Sequence, residues 1–306
     1  VIAIVCPGQG SQTPGFLAPW LEIPAFAEAI RAMQSASGVD LLTHGTVSDA
    51  DTIRDTAIAQ PLIVAAGVAT LAALADAGAD FSKVSGFAGH SVGEVTAAVA
   101  AGVFTPESGI QFVAKRATEM AKAAALETTS MAAVLGGDQA VVEARLAELD
   151  LQPANYNGGG QIVAAGSAEG IAALQAEGPA GARVIPLQVA GAFHTRYMQP
   201  AVAALAEYAQ GVTVADPTAK LWTNSTGAIV DSGATYLDLL VAQVSNPVRW
   251  DLCMESMLAA GVTKIIEVVP AGTLSGLAKR SMPSIEIVAV KTPENLEAAL
   301  SLINND

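Results

Sequence analysis

The stretch Val84–Val95 reads Val-Ser-Gly-Phe-Ala-Gly-His-Ser-Val-Gly-Glu-Val, and it leaves few folds open. Its centre, Gly89-His90-Ser91-Val92-Gly93, is a Gly-x-Ser-x-Gly pentapeptide. Strand-like residues lead in (Val84, Phe87), and an Ala/Val-rich helical run, Glu94–Ala101, leads out. A serine on so sharp a strand-to-helix turn tolerates only small residues two positions to either side. The turn also sets the serine oxygen at a helix N-terminus, where backbone N–H groups and the helix dipole can stabilise an oxyanion. The pentapeptide alone is common in ordinary turns. Its flanking elements make Ser91 a candidate nucleophile.

With 306 residues the chain can form one large domain or two lobes around a substantial core. Hydrophobic residues make up 52% but aromatics only 5%, so alanine carries much of the apolar content and helices should pack closely on a sheet. Mean hydropathy is +0.44, which raises the question of a membrane span. The longest nearly unbroken apolar run, Leu62–Ala75, is shorter than the roughly 20 residues a spanning helix needs. Val1–Cys6 lacks the basic start of a signal peptide and reads as a buried strand. A net charge of −14 argues against a nucleic-acid binder. Cys6 and Cys253 read as reduced, buried thiols of a cytoplasmic protein. His44, His90 and His194 form no Cys/His cluster, so no metal site is expected.

Strands and helices alternate at both ends of the chain, which predicts an α/β lobe with a mostly parallel sheet. Pro7-Gly8-Gln9-Gly10-Ser11-Gln12 follows the first strand but lacks the spacing of a dinucleotide or Walker loop. It suits close backbone approach to a substrate. Pro24–Ser37 and Thr56–Ala77 read as helices. Another starts with Thr105 as N-cap and Pro106 at the first position and runs to about Ala125. Its apolar residues Ile110, Val113, Ala117, Met120 and Ala124 share a face, with Arg116 at the edge. Such an arginine ordinarily snorkels outward as an exposed charge. Between Met131 and Leu187 the order is βαββαβ, the ferredoxin-like arrangement. We therefore expect a large α/β-hydrolase-like lobe (1–127 and 190–306) with an inserted small ferredoxin-like lobe (128–189). Ile285–Val290 is the last element assigned.

Ser91 needs a base. His44 has no polar residues arranged about it, whereas His194 lies in Gly191-Ala192-Phe193-His194-Thr195, at a strand-to-helix junction. A long stretch of chain follows His194, and no triad acid is evident between Ser91 and His194. Both features depart from the ordinary hydrolase order. A serine–histidine pair on a hydrolase-like sheet is the resulting expectation.

Several motifs together now point to a family. They are Pro7–Gln12, Gly89–Glu94, Arg116 with Met120, and Asn155-Tyr156-Asn157 with Gln161-Ile162-Val163. Further on come Gly191–His194, Gln243, Asn246-Pro247-Val248-Arg249-Trp250, and Glu267–Pro270. Over essentially its whole length the chain resembles the malonyl-CoA:acyl-carrier-protein transacylases of fatty-acid and polyketide synthesis. The resemblance implies that Ser91 carries the acyl group and that His194 is its base and acid. The N–H groups of Val92 and Gln9 would form the oxyanion hole. Arg116 would clamp the free carboxylate of malonate, as a guanidinium fork can. A backbone carbonyl within Asn246–Arg249 would orient His194. Gln243, Met120 and Asn157 would lie at the substrate site. Phe193, next to His194, would border the acyl pocket and disfavour an α-methyl branch.

The reaction so implied is ping-pong transfer of malonyl from malonyl-CoA to the phosphopantetheine thiol of acyl carrier protein, supplying extender units for fatty-acid synthesis. Both are substrates, and no cofactor is expected. A cytoplasmic monomer without a membrane or nucleic-acid partner is expected. Carrier proteins are acidic, so docking needs local positive charge. Arg196 is the first candidate, followed by Lys115, Lys122, Lys279 and Arg280. Two alternatives stand beside this reading: a serine thioesterase or esterase on a related sheet, and a non-catalytic module binding acyl-CoA or carrier protein.

Overall fold

The computed structural model describes residues 1–189 and 191–305. Ala190, in the segment leading to His194, and Asp306, at the end of the expected large lobe, lie outside the described residues. The chain opens with β1 (Ile2–Cys6), followed by α1 (Pro24–Ser37), α2 (Leu41–Thr46), α3 (Ala50–Arg54) and α4 (Thr56–Asp76). Then come β2 (Val84–Gly89), α5 (Gly93–Ala100) and α6 (Pro106–Ala124). The middle of the chain forms β3 (Thr129–Gly136), α7 (Gln139–Glu148), β4 (Gln152–Gly158), β5 (Gln161–Ser167), α8 (Ala168–Ala176) and β6 (Ala182–Pro186). The remainder supplies α9 (Gln199–Ala209), β7 (Lys220–Leu221), α10 (Gly233–Gln243), β8 (Val248–Arg249) and α11 (Trp250–Ala259). It closes with β9 (Lys264–Glu267), α12 (Thr273–Ser281), β10 (Glu286–Ala289) and α13 (Leu296–Asn304).

One sheet has the order β10-β9-β1-β2-β7 with every pairing parallel. Parallel strands are covered on both faces, and β1 shows it: all five of its residues are buried. Cys6 pairs with Gly89, so β1 and β2 end level and Pro7–Gln9 lie beside His90–Val92. Ligands bind beyond the carboxyl ends of strands in such sheets. The second sheet has the order β6-β3-β5-β4, antiparallel throughout, the ferredoxin-like arrangement of the βαββαβ order. It gains a fifth strand from beyond that unit, because β8 pairs in parallel with β4.

Helix α6 begins as its sequence predicts. Thr105 Oγ1 accepts from the Ser108 N–H, Ser108 Oγ accepts from the Thr105 N–H, and Pro106 occupies the first turn. Helix α4 corrects an expectation. The apolar run Leu62–Ala75 read as too short for a membrane span, yet Thr56–Asp76 is long and apolar enough by length and composition alone. Of its most apolar stretch, 83% is buried inside the molecule, which makes it a central core helix here.

Where β9 ends, Glu267 is fully buried. Its carboxylate accepts the N–H groups of Gly272 (2.8 Å), Leu274 (2.9 Å) and Ser275 (2.8 Å) and the Ser275 hydroxyl (2.6 Å). It thereby caps α12, whose positive dipole end favours an anion. Glu267→Ala leaves four donors without an acceptor. A loss of about 4 kcal/mol in urea unfolding is expected, with Glu267→Gln in between. Equal stability of Glu267→Ala and the parent would show that water replaces the carboxylate without cost.

Candidate active site

Ser91 sits between β2 and α5 with φ 54°, a left-handed conformation that non-glycine residues seldom adopt. The crowding read from the sequence is present. A Cβ on Gly89 would fall 2.0 Å from the Gly93 carbonyl carbon, and one on Gly93 would fall 2.1 Å from the Cys6 carbonyl oxygen. Strain of this kind persists only where neighbours over-determine it. Asn224, just beyond β7, does so. Its Oδ1 accepts the Ser91 N–H at 2.8 Å and its Nδ2 donates to the Gly89 carbonyl at 2.7 Å.

The Ser91 hydroxyl lies 2.7 Å from His194 Nε2. On the other side of the ring, His194 Nδ1 lies 2.8 Å from the backbone carbonyl of Gln243. A carbonyl only accepts, so Nδ1 carries the proton and Nε2 is free to take one from Ser91. The orienting carbonyl was expected within Asn246–Arg249. The bonded one belongs to Gln243, at the end of α10, with the Asn246 backbone as a weaker influence. His194 also has positive φ, 61°, and its N–H donates to the Val244 carbonyl at 3.1 Å. Burial, then the charge of Arg116, lower its pKa to about 3. The imidazole is therefore neutral at physiological pH.

Arg116 departs most from its local pattern. The helical spacing read it as an exposed charge, whereas the side chain is 1% exposed. Its Nη1 donates to Gln60 Oε1 (2.6 Å) and its Nη2 to Gln243 Oε1 (2.7 Å), while Nε has no partner among the described residues. Burial pulls its pKa down to about 10, opposed by the charge of Glu94. Glu94 is also buried, although no acid between Ser91 and His194 stood out in the sequence. It accepts from the Asn224 N–H (2.6 Å), from Gln243 Nε2 and from the Tyr236 hydroxyl, and burial raises its pKa to about 8. Gln243 joins these groups. Its carbonyl holds His194, its Oε1 holds Arg116, and its Nε2 reaches Glu94 and the Ser91 carbonyl (3.1 Å).

A cavity of about 100 Å³ contains both Ser91 and His194. Gln9, Gln60, Met120 and Phe193 line it, as does Asn155. Asn157, expected at the substrate, instead accepts from His90 Nε2 at 2.8 Å. Val92 stands immediately before α5, at its positive end. Gln9 is anchored from its side chain, Nε2 to Thr56 Oγ1, at 3.3 Å. Gln60 and Asn224 had no site role in the sequence reading, which named Glu94 only as the end of the Gly89–Glu94 motif. Gln60 had one signal: it is an amide on a helix that is otherwise almost wholly apolar and buried.

The five basic residues considered for docking differ in their surroundings. Arg196 forms a two-pronged pair with Asp150 (3.1 and 2.5 Å). Lys115 and Lys122 both bind Glu119 (2.7 and 3.0 Å). Lys279 and Arg280, exposed at the end of α12, have no ion pair among the described residues, and Arg280 donates to Gln161 Oε1 at 3.2 Å.

A strained serine paired with a carbonyl-oriented histidine, on a parallel sheet beside a mostly antiparallel one, is the constellation of a serine-nucleophile acyl-transfer enzyme. Residues 3–296 match the acyl transferase domain family, and the chain belongs to that family. Over 302 residues it is 48% identical to the malonyl CoA-acyl carrier protein transacylase of Mycobacterium tuberculosis, covering 99% of this chain and all of that one. It superimposes on the crystal structure of MCAT from the same organism with a TM-score of 0.94 at 47% identity, covering 98% of this chain and 99% of that one. It is also similar to a malonyl-transacylase solved in complex with its type II PKS acyl-carrier protein. There the TM-score is 0.91 at 30% identity, covering 100% of this chain and 99% of that one.

Proposed function

We propose that this protein transfers malonyl from malonyl-CoA to the phosphopantetheine thiol of an acyl carrier protein, through a malonyl-Ser91 intermediate, in fatty-acid synthesis. One observation carries the reading beyond acyl transfer in general. A buried guanidinium whose Nε has no partner among the described residues is tied through a single residue, Gln243, to the nucleophile and its base. Such a group fits an acyl chain that ends in a carboxylate.

In this mechanism Ser91 attacks the thioester carbonyl as its proton passes to His194 Nε2. The oxyanion is met by the N–H groups of Val92 and Gln9, each donor in such a hole contributing about 3 kcal/mol. His194 returns the proton to the departing coenzyme A sulfur. The carrier thiol, deprotonated by His194, attacks the malonyl-serine, and collapse of the second tetrahedral species regenerates Ser91. Arg116 holds the malonyl carboxylate throughout, while Phe193 and Met120 wall the acyl group. Base, oxyanion donors and carboxylate partner all come from the chain, so the scheme requires no cofactor. The free buried thiols Cys6 and Cys253 suit the reducing cytoplasm where we place the enzyme, acting as a monomer.

Labelled malonyl-CoA incubated with and without carrier protein tests this function. Label should move to the carrier with little free malonate in its absence. Steady malonate release without a carrier would instead make the protein a thioesterase.

The carrier must find positive charge on a protein of net charge −14. Asp150 already engages Arg196, so Lys279 and Arg280, which have no ion pair among the described residues, become the better candidates. Reversing both charges to Glu should raise the carrier KM by about tenfold at low salt and leave malonyl-CoA loading within about twofold. An unchanged carrier KM would remove the end of α12 from the docking face.

A further inference from the structure

Arg116 is gripped by neutral acceptors. A guanidinium has donors only, so Gln60 and Gln243 must both turn their oxygens toward it, at 2.6 and 2.7 Å. That fixes where their nitrogens point. Gln60 Nε2 meets Met120 Sδ at 3.4 Å, and Gln243 Nε2 meets the Glu94 carboxylate. Glu94 is the acid whose ionised form would act on Arg116, yet burial favours its neutral form and the Gln243 amide stands between them, with one end on each. Glu94 is further occupied by the Asn224 N–H and the Tyr236 hydroxyl. A buried arginine is ordinarily paired with a carboxylate, because an unpaired charge in the interior is costly. Here the cation is 1% exposed, and among the described residues no ion pair touches it and one donor stays open.

We propose that Gln60 and Gln243 determine acyl specificity through their neutrality, orienting Arg116 while withholding a carboxylate from it, so that the pairing is left to the anionic end of the acyl group. Gln60 is the more exacting position, because it lines the cavity and also contacts Arg116. A carboxylate there would have nearly the same shape and would satisfy Nη1 with an internal ion pair. An incoming malonyl carboxylate would then meet a neutralised arginine and a nearby like charge in a low-dielectric site. An acetyl group carries no charge to sense either change. The inference rests on the malonyl-clamp reading of Arg116.

The test measures Ser91 acylation by malonyl-CoA and acetyl-CoA, as kcat/KM for each, in the parent protein, Gln60→Glu, Gln60→Leu and Arg116→Ala. Gln60→Glu should lower the malonyl-to-acetyl ratio by at least about 30-fold. Gln60→Leu lacks the acceptor but adds no charge, and should keep the ratio within about threefold even where both constants fall. A ratio unchanged in Gln60→Glu but collapsed in Arg116→Ala would overturn the inference and leave the clamp standing. A malonyl preference that survives Arg116→Ala would overturn both. Should Gln60→Glu not fold, Gln243→Glu places the same charge on the other acceptor of Arg116: a ratio lowered at least about 30-fold supports neutrality as the requirement, and an unchanged ratio refutes it.

Discussion

Replacing Arg116 with Ala should cut kcat/KM for malonyl-CoA by about 300-fold while acetyl-CoA loading holds or rises. The loss corresponds to a charge-assisted pair made with the substrate carboxylate in a water-poor site. Acetyl has no such group to lose, and in the parent protein it leaves the buried cation unpaired. The substitution also strips the Gln60 and Gln243 oxygens of a donor and Glu94 of its opposing charge. Stability should therefore fall whichever acyl group is assayed, so the ratio of the two constants is the quantity to read. Equal losses for both thioesters would make Arg116 a structural residue.

His194→Ala should lower the rate of Ser91 acylation by about 10³-fold, with KM for malonyl-CoA changed far less. The pH profile offers a second reading. With its pKa lowered to about 3 by burial and by Arg116, His194 stays neutral well below its ordinary value of 6.5. Loading in the parent protein should therefore show no inflection near that value. A tenfold fall per pH unit below about 6.5 would mean an ordinary exposed imidazole. Stability follows the same sign. Between about 3 and 6.5 the unfolded chain binds more protons at His194 than the folded one. Its contribution is complete above 6.5 and is lost as pH falls through that window.

The elbow was legible because its requirements are local: two glycines, a serine, a strand before and a helix after. The ferredoxin-like unit was legible for a similar reason, since each element carries its own period and turn residues. Arg116 was not. Helical periodicity assigns a face by hydrophobicity and cannot see the amides that make burial tolerable. Those amides arrive from 56 and 127 residues away, on α4 and α10. The carbonyl that orients His194 was missed by three residues because every residue carries one and none marks itself in sequence. Arg196 looked free until folding brought Asp150, 46 residues distant, against it. Helix α13 was overlooked although its buried Ala299, Leu302 and Ile303 lie at helical spacing after Pro293.

The central claim is that the acyl group passes through Ser91. Mixing the protein with labelled malonyl-CoA in the absence of any carrier, quenching with acid and sequencing the labelled peptide tests it most directly. One malonyl per chain on Ser91, released on adding carrier protein and absent from Ser91→Ala, is the expected result. Label that never appears on Ser91, or that Ser91→Ala takes up as readily, would contradict it.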